Sequence, residues 1–194
     1  MNTITYKEYV DPYFHGFEKI VLNDNDIYKV KRFVSKLIEV KKNESHHIKD
    51  PANQMKRWTT GLLGELAIEK FIGIEFVDYT IGKSKVYDKP DLSKLGINCG
   101  IKTSEKGKFP LVRKKSTHPE IILIKESDKV FYVCGIAVEK VLNNLQSDDL
   151  ILSPYLRKSG RKSGFYGFKY LLPPVCIKTM VIKQLNKQQN KEEE

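Results

Sequence analysis

Apolar positions recur every three to four residues through NDNDIYKVKRFVSKLIEVKKN, where Ile27, Val30, Phe33, Val34, Leu37 and Ile38 share one face and lysines crowd the other. With Asn and Asp at its start as capping groups, this stretch predicts an amphipathic helix. ESHHIKDPAN breaks the pattern, Pro51 being its clearest punctuation. A second helical period follows in QMKRWTTGLLGELAIEKFIG, with Leu62, Leu63, Leu66, Ala67 and Phe71 in an apolar stripe and Gly73 as its stop. The period then changes to two. IEFVDYTIG reads as a strand closed by Gly82, and Ile97, Cys99 and Ile101 alternate with Asn98, Gly100 and Lys102 in a second strand. EIILIK and KVFYVCGIAV predict two more strands joined by a hairpin at ESD, and EKVLNNL a short helix. LLPPVCIKTMVIKQL fits either a strand or a helix, and the aromatic-rich opening segment predicts extended chain packed on the core. This order predicts one α/β domain over residues 1–185 built on a mixed sheet, then a polar tail over 186–194.

Composition narrows the class. Hydrophobic residues at 40% and charged residues at 30% describe a folded globular chain, and the apolar runs are strand-sized, too short for a membrane span. No basic region followed by an apolar core opens the chain, so no secretion signal is expected. Three widely spaced cysteines, Cys99, Cys134 and Cys176, lie in apolar runs and point to reduced thiols in a cytoplasmic setting. The net charge of +10 favours a polyanionic partner, of which nucleic acid is the commonest.

Candidate chemistry gathers around DKPDLSKLGINCGIKTS, residues 88 to 104. Side chains two apart on a strand share a face, so Lys102 stands beside Gly100 and Asn98 and away from Cys99 and Ile101. An aspartate near a lysine suits phosphodiester hydrolysis: the carboxylate holds a divalent cation and the lysine supports developing charge. The bland reading makes Asp91 a turn cap and Lys102 a solvated lysine. Glu65 sharpens the choice, because it borders the apolar stripe of a helix carrying Gly61 and Gly64. Each helical glycine costs about 1 kcal/mol against alanine, which close approach of helix and sheet would offset. Asp88 reads equally as turn chemistry or as an aid to a metal, and the adjacent His46 and His47 do not converge on one point. His15 and His118 are isolated.

Glu65 in GLLGE, then Pro90-Asp91, then Lys102-Thr103-Ser104, together resemble the PD-(D/E)xK nuclease superfamily over roughly residues 54 to 138. Gly135 in the hairpin that follows fits the same likeness. The resemblance implies a restriction-endonuclease-like mixed sheet flanked by helices and an Mg²⁺- or Mn²⁺-dependent deoxyribonuclease. Asp91 and Glu65 would be metal ligands and Lys102 the catalytic lysine. Gly100 departs from the family, since it stands where the second acid belongs. Either Glu65 or Asn98 fills that place, or the site is inactive and the fold serves as a nucleic-acid-binding module.

Two basic segments supply phosphate contacts, Lys108, Arg113, Lys114 and Lys115 in the first and Arg157, Lys158, Arg161 and Lys162 in the second. In the second they mix with Tyr155, Phe165, Tyr166, Phe168 and Tyr170, and Gly160, Gly164 and Gly167 suggest a mobile backbone there. Double-strand cleavage makes a homodimer reasonable, though no residue argues for one. DNA against RNA, and endo- against exonuclease, stay open.

Overall fold

The computed structural model describes residues 3–41, 51–81 and 89–192; His46, His47, Gly82 and Asp88 lie outside them. The opening segment forms α1 (Tyr6–Tyr9), a 3-10 turn (Asp11–Gly16) and then β1 (Glu18–Val21). It is thus more structured than its lack of period suggests. The first predicted helix is α2 (Asp24–Lys41), and Asn23 and Asp26 cap it reciprocally, each side chain accepting the other's backbone N–H at 2.8 and 3.1 Å. The second is α3 (Pro51–Ile72), ended by Gly73 in the left-handed region at φ 75°.

IEFVDYTIG is not a strand within the described residues: 74–81 carry no regular structure. Phe76 is buried against the helical core, and the backbone N–H groups of Phe76 and Val77 donate to Glu69 Oε2 at 3.3 and 2.8 Å. A carboxylate on α3 thereby satisfies the donors that a sheet partner would have taken.

Asp91–Leu95 forms a 3-10 turn, followed by β2 (Gly100–Glu105), β3 (Leu111–Arg113), β4 (Glu120–Lys125) and β5 (Val130–Ala137). Beyond them come α4 (Glu139–Asn144), β6 (Gln146–Ser147), α5 (Pro154–Ser159), β7 (Lys162–Phe165) and α6 (Val175–Glu192). The ambiguous late segment is therefore helical, and the helix continues through the stretch expected as a polar tail as far as Glu192.

Two sheets result. The main one has the order β1-β5-β4-β2, with β2 and β4 parallel and the other pairs antiparallel. The smaller one is an antiparallel ribbon in the order β3-β7-β6. Side-chain alternation divides the core into two. Ile101, Ile121, Leu123, Phe131 and Val133 pack with α2, α3 and α6 through Val30, Val34, Leu63, Ala67, Ile68, Ile177 and Val181. Ile122, Ile124 and Cys134 face the other way, against Val112, Phe165, Phe168 and the aromatic opening segment. β4 is therefore apolar on both faces, which is why EIILIK reads as a continuous run. At its amino end that run begins with Glu120, which is 1% exposed.

The segment expected to be a mobile basic loop is built. Gly160 caps α5 at φ 64°, whereas a side chain at Gly164 would collide with Leu150 and one at Gly167 with Phe165 and Leu145. The last two glycines permit close packing.

Candidate active site

β2 is an edge strand of the main sheet, so alternate backbone N–H groups along it lack a strand partner. Gly100 N–H points inward and donates to Pro119 O at 3.0 Å; Ile101 N–H points outward and donates to Asp91 Oδ2 at 2.5 Å. Asp91 is held there by its own turn. Leu92 and Leu95 are buried beneath it, Gly96 closes it at φ 72°, and Gln188 of α6 donates to Leu95 O at 3.3 Å. The carboxylate so anchored lies against the strand edge at Ile101, the residue before Lys102 in β2.

Glu65 reaches the same edge from α3. At Gly64 the helix comes so near β2 that a side chain there would collide with Thr103 Oγ1. This is the close approach the glycines suggest, and it places the next residue at the strand. Burial, then the charge of Asp91, raises the Glu65 carboxyl to about 8, against the opposing pull of Lys102. Although the residue keeps some exposed surface, its carboxyl is sufficiently dehydrated to hold its proton at neutral pH.

The place vacated by Gly100 is filled from the neighbouring strand. In the parallel register Gly100 stands opposite Glu120, and a side chain on Gly100 would collide with Glu120 Oε2. Glu120 thus puts a buried carboxylate in the space that a side chain on Gly100 would take. Its Oε2 lies 3.3 Å from Lys102 Nζ, within ion-pair reach, yet makes no hydrogen bond; Oε1 lies 3.8 Å from His118 Nδ1. Lys102 Nζ itself donates to Ile101 O at 3.2 Å. Burial pushes the Glu120 pKa up, and Lys102 and then His118 resist. Asn98 is not a substitute: it is exposed and lines a groove with Cys176, Thr179 and Lys183 of α6.

The structure thus brings Glu65, Asp91 and Lys102 into one electrostatic neighbourhood and adds Glu120 and His118, which motif reasoning passes over. Three carboxyl groups share a poorly hydrated edge with one nearby lysine, and a buried carboxylate oxygen there has no hydrogen-bond donor. That oxygen and the oxygen-only donor set suit a hard divalent cation. Among the described residues, no three His, Cys, Asp or Glu side chains already enclose a position for one.

The basic residues divide. Arg113 and Lys162 stand opposite each other where β3 pairs with β7, and Lys102, Arg57 and Arg113 are the like charges facing Lys162. Lys108 pairs with Glu105 at 2.5 Å at the far end of β2, and Lys114 with Asp148 at 2.5 Å. Arg157 donates to Ile151 O at 2.8 Å. Lys115, Lys158 and Arg161 are exposed. No helix among the described residues is long and apolar enough to cross a membrane.

No protein-family model matches this chain, and no curated protein or solved structure was found to match it.

Proposed function

We propose that the protein is a divalent-metal-dependent nuclease of the PD-(D/E)xK type, in which Glu120 replaces the acid missing at Gly100. The observation that supports this most is the buried, hydrogen-bond-deficient Glu120 carboxylate lodged against Gly100 and paired with Lys102. Asp91 and Glu120 would hold Mg²⁺ or Mn²⁺, with Glu65 joining them once deprotonated; when bound, such an ion supplies an activated water and neutralises charge at phosphorus. Asp91 is oriented by the Ile101 N–H and cannot turn away without leaving that donor unsatisfied. Lys102 is positioned by Glu120 and Ile101 O to meet negative charge developing on the phosphoryl oxygens. His118 Nδ1 contacts Pro119 O at 3.3 Å and stands 3.8 Å from Glu120 Oε1.

Supercoiled and branched DNA incubated with the protein and Mg²⁺ or Mn²⁺ tests this reading. Cleavage is expected from the natural sequence and not from Asp91→Ala or Lys102→Ala. Undiminished cleavage by both variants overturns the assignment. A non-catalytic nucleic-acid-binding module is the second reading, favoured by the lack of a ready three-ligand group among the described residues. It is supported if DNA binds but neither metal elicits cleavage.

A further inference from the structure

Gly61 and Gly64 lie one turn apart on α3 and are there for different reasons. Gly64 is required by packing against Thr103, but a side chain at Gly61 would meet nothing within 4 Å. An unpacked glycine in the interior of a 22-residue helix loses stability with no return from the fold itself. Arg57, Gly61 and Glu65 fall on one row at four-residue spacing, so the glycine leaves a side-chain-free notch between the arginine and the active-site carboxyl.

The ribbon beside it carries a matching anomaly. Arg113 and Lys162 are directly opposed in an antiparallel pair, where like charges destabilise. Among the described residues neither Arg57 nor Lys162 makes an ion pair. Lys162 is exposed in overall surface, yet desolvation and then the charges of Lys102, Arg57 and Arg113 lower its pKa, against the opposing pull of Glu120. Cations from α3, β2, β3 and β7 therefore face one another beside the Asp91–Glu120 edge. A polyanion crossing the notch would supply Arg57 and Lys162 with the counter-charge they lack among the described residues.

We infer that a nucleic-acid backbone runs along α3 over Gly61, with Arg57, Arg113 and Lys162 binding the phosphate adjacent to the one at Asp91 and Glu120. This rests on the reading of the site as one for phosphodiesters, and it makes the ligand a polynucleotide rather than a mononucleotide. These three cations are binding residues. They hold the strand and do not touch the reacting bond.

Binding of fluorescently labelled duplex DNA, single-stranded DNA and RNA, measured by anisotropy in EDTA over a salt series, tests the inference apart from any cleavage. Arg57→Ala and Lys162→Ala should each lower the salt slope by about 0.9 and weaken binding several-fold at low salt, with Lys162→Arg restoring it. Gly61→Leu should bind more weakly while melting no lower than the natural sequence, because leucine favours helix and the space is open. Lys36→Ala, on the exposed lysine-rich face of α2, is the control and should keep the full slope. Unchanged slopes in Arg57→Ala and Lys162→Ala, or undiminished binding by a folded Gly61→Leu, overturn the track, as does failure of all three nucleic acids to bind. Metal-dependent cleavage with no track effect would overturn this inference alone. Track-dependent binding without cleavage in Mg²⁺ or Mn²⁺ would overturn the nuclease reading alone.

Discussion

Gly100 on β2 and Glu120 on β4 face each other in a parallel register, and the missing side chain of one is the space occupied by the carboxylate of the other. On the proposed reading, the pair is one functional position divided between two strands. Adding a methyl group at Gly100 forces Glu120 to move, although Glu120 is packed on all sides and 1% exposed. Gly100→Ala should therefore reduce metal-dependent cleavage by about tenfold or more and destabilise the fold by about 1–3 kcal/mol. Gly100→Glu combined with Glu120→Ala should recover part of the activity that Glu120→Ala alone loses. Measured rates for the two single variants and the double variant form the cycle that checks it, and strictly additive losses would count against a shared position.

Glu65 gives the fold a dependence on pH. Its folded pKa, raised by burial to about 8, lies above its ordinary value of 4.5, so the folded state binds more protons between these limits. Stability linked to Glu65 is present below about pH 4.5 and is lost as pH rises toward 8. In EDTA, Glu65→Gln should flatten this decline and melt about 3 °C or more above the natural sequence near pH 8. Thermal melts of both proteins across that range decide the matter; parallel curves would show that Glu65 is not held protonated.

The two glycines of α3 should respond to alanine with opposite signs. Gly64→Ala meets Thr103 and should destabilise by about 1–3 kcal/mol, whereas Gly61→Ala meets open space and should stabilise by up to about 1 kcal/mol. Chemical denaturation of the two variants distinguishes them. Equal effects would mean that α3 does not sit against β2 as described.

Lys102 is the cation nearest the Glu120 carboxylate oxygen. Lys102→Met should lower the cleavage rate by about 10²-fold while leaving the low-salt affinity for DNA within a few-fold, since Arg57, Arg113 and Lys162 remain. Single-turnover rates and anisotropy on the same preparation separate the two effects. A loss confined to affinity would reassign Lys102 to binding.

The helices were readable from the chain because their apolar spacing coincides with real burial: Val30, Val34, Leu63 and Ala67 all lie in the core. The α/β class followed from the strands in the same way, and the order of Glu65, Asp91 and Lys102 along the chain pointed to three residues that lie near one another in the fold. IEFVDYTIG misled because a side-chain acceptor, Glu69, replaced a strand partner, and such a replacement leaves no trace in alternation. Glu120 was hidden for a different reason. An acid opening the apolar run EIILIK is a visible anomaly, yet its relation to Gly100 depends on the parallel register of β2 and β4, a non-local fact. Spacing along the chain relates Gly100 to Asn98, Lys102 and the preceding helix, but not to the strand beside it. Gly164 and Gly167 likewise suggest mobility until the residues across from them are known.

On the proposed reading, Glu120 supplies the second acid of a metal site shared with Asp91. Titration of Mn²⁺ into the protein, followed by electron paramagnetic resonance, measures this directly in the natural sequence and in Glu120→Gln, a change that keeps shape and removes charge. The expected result is one Mn²⁺ bound per chain by the natural sequence and an affinity lowered by about tenfold or more in Glu120→Gln. Equal Mn²⁺ affinity in the two proteins, both folded, would contradict it.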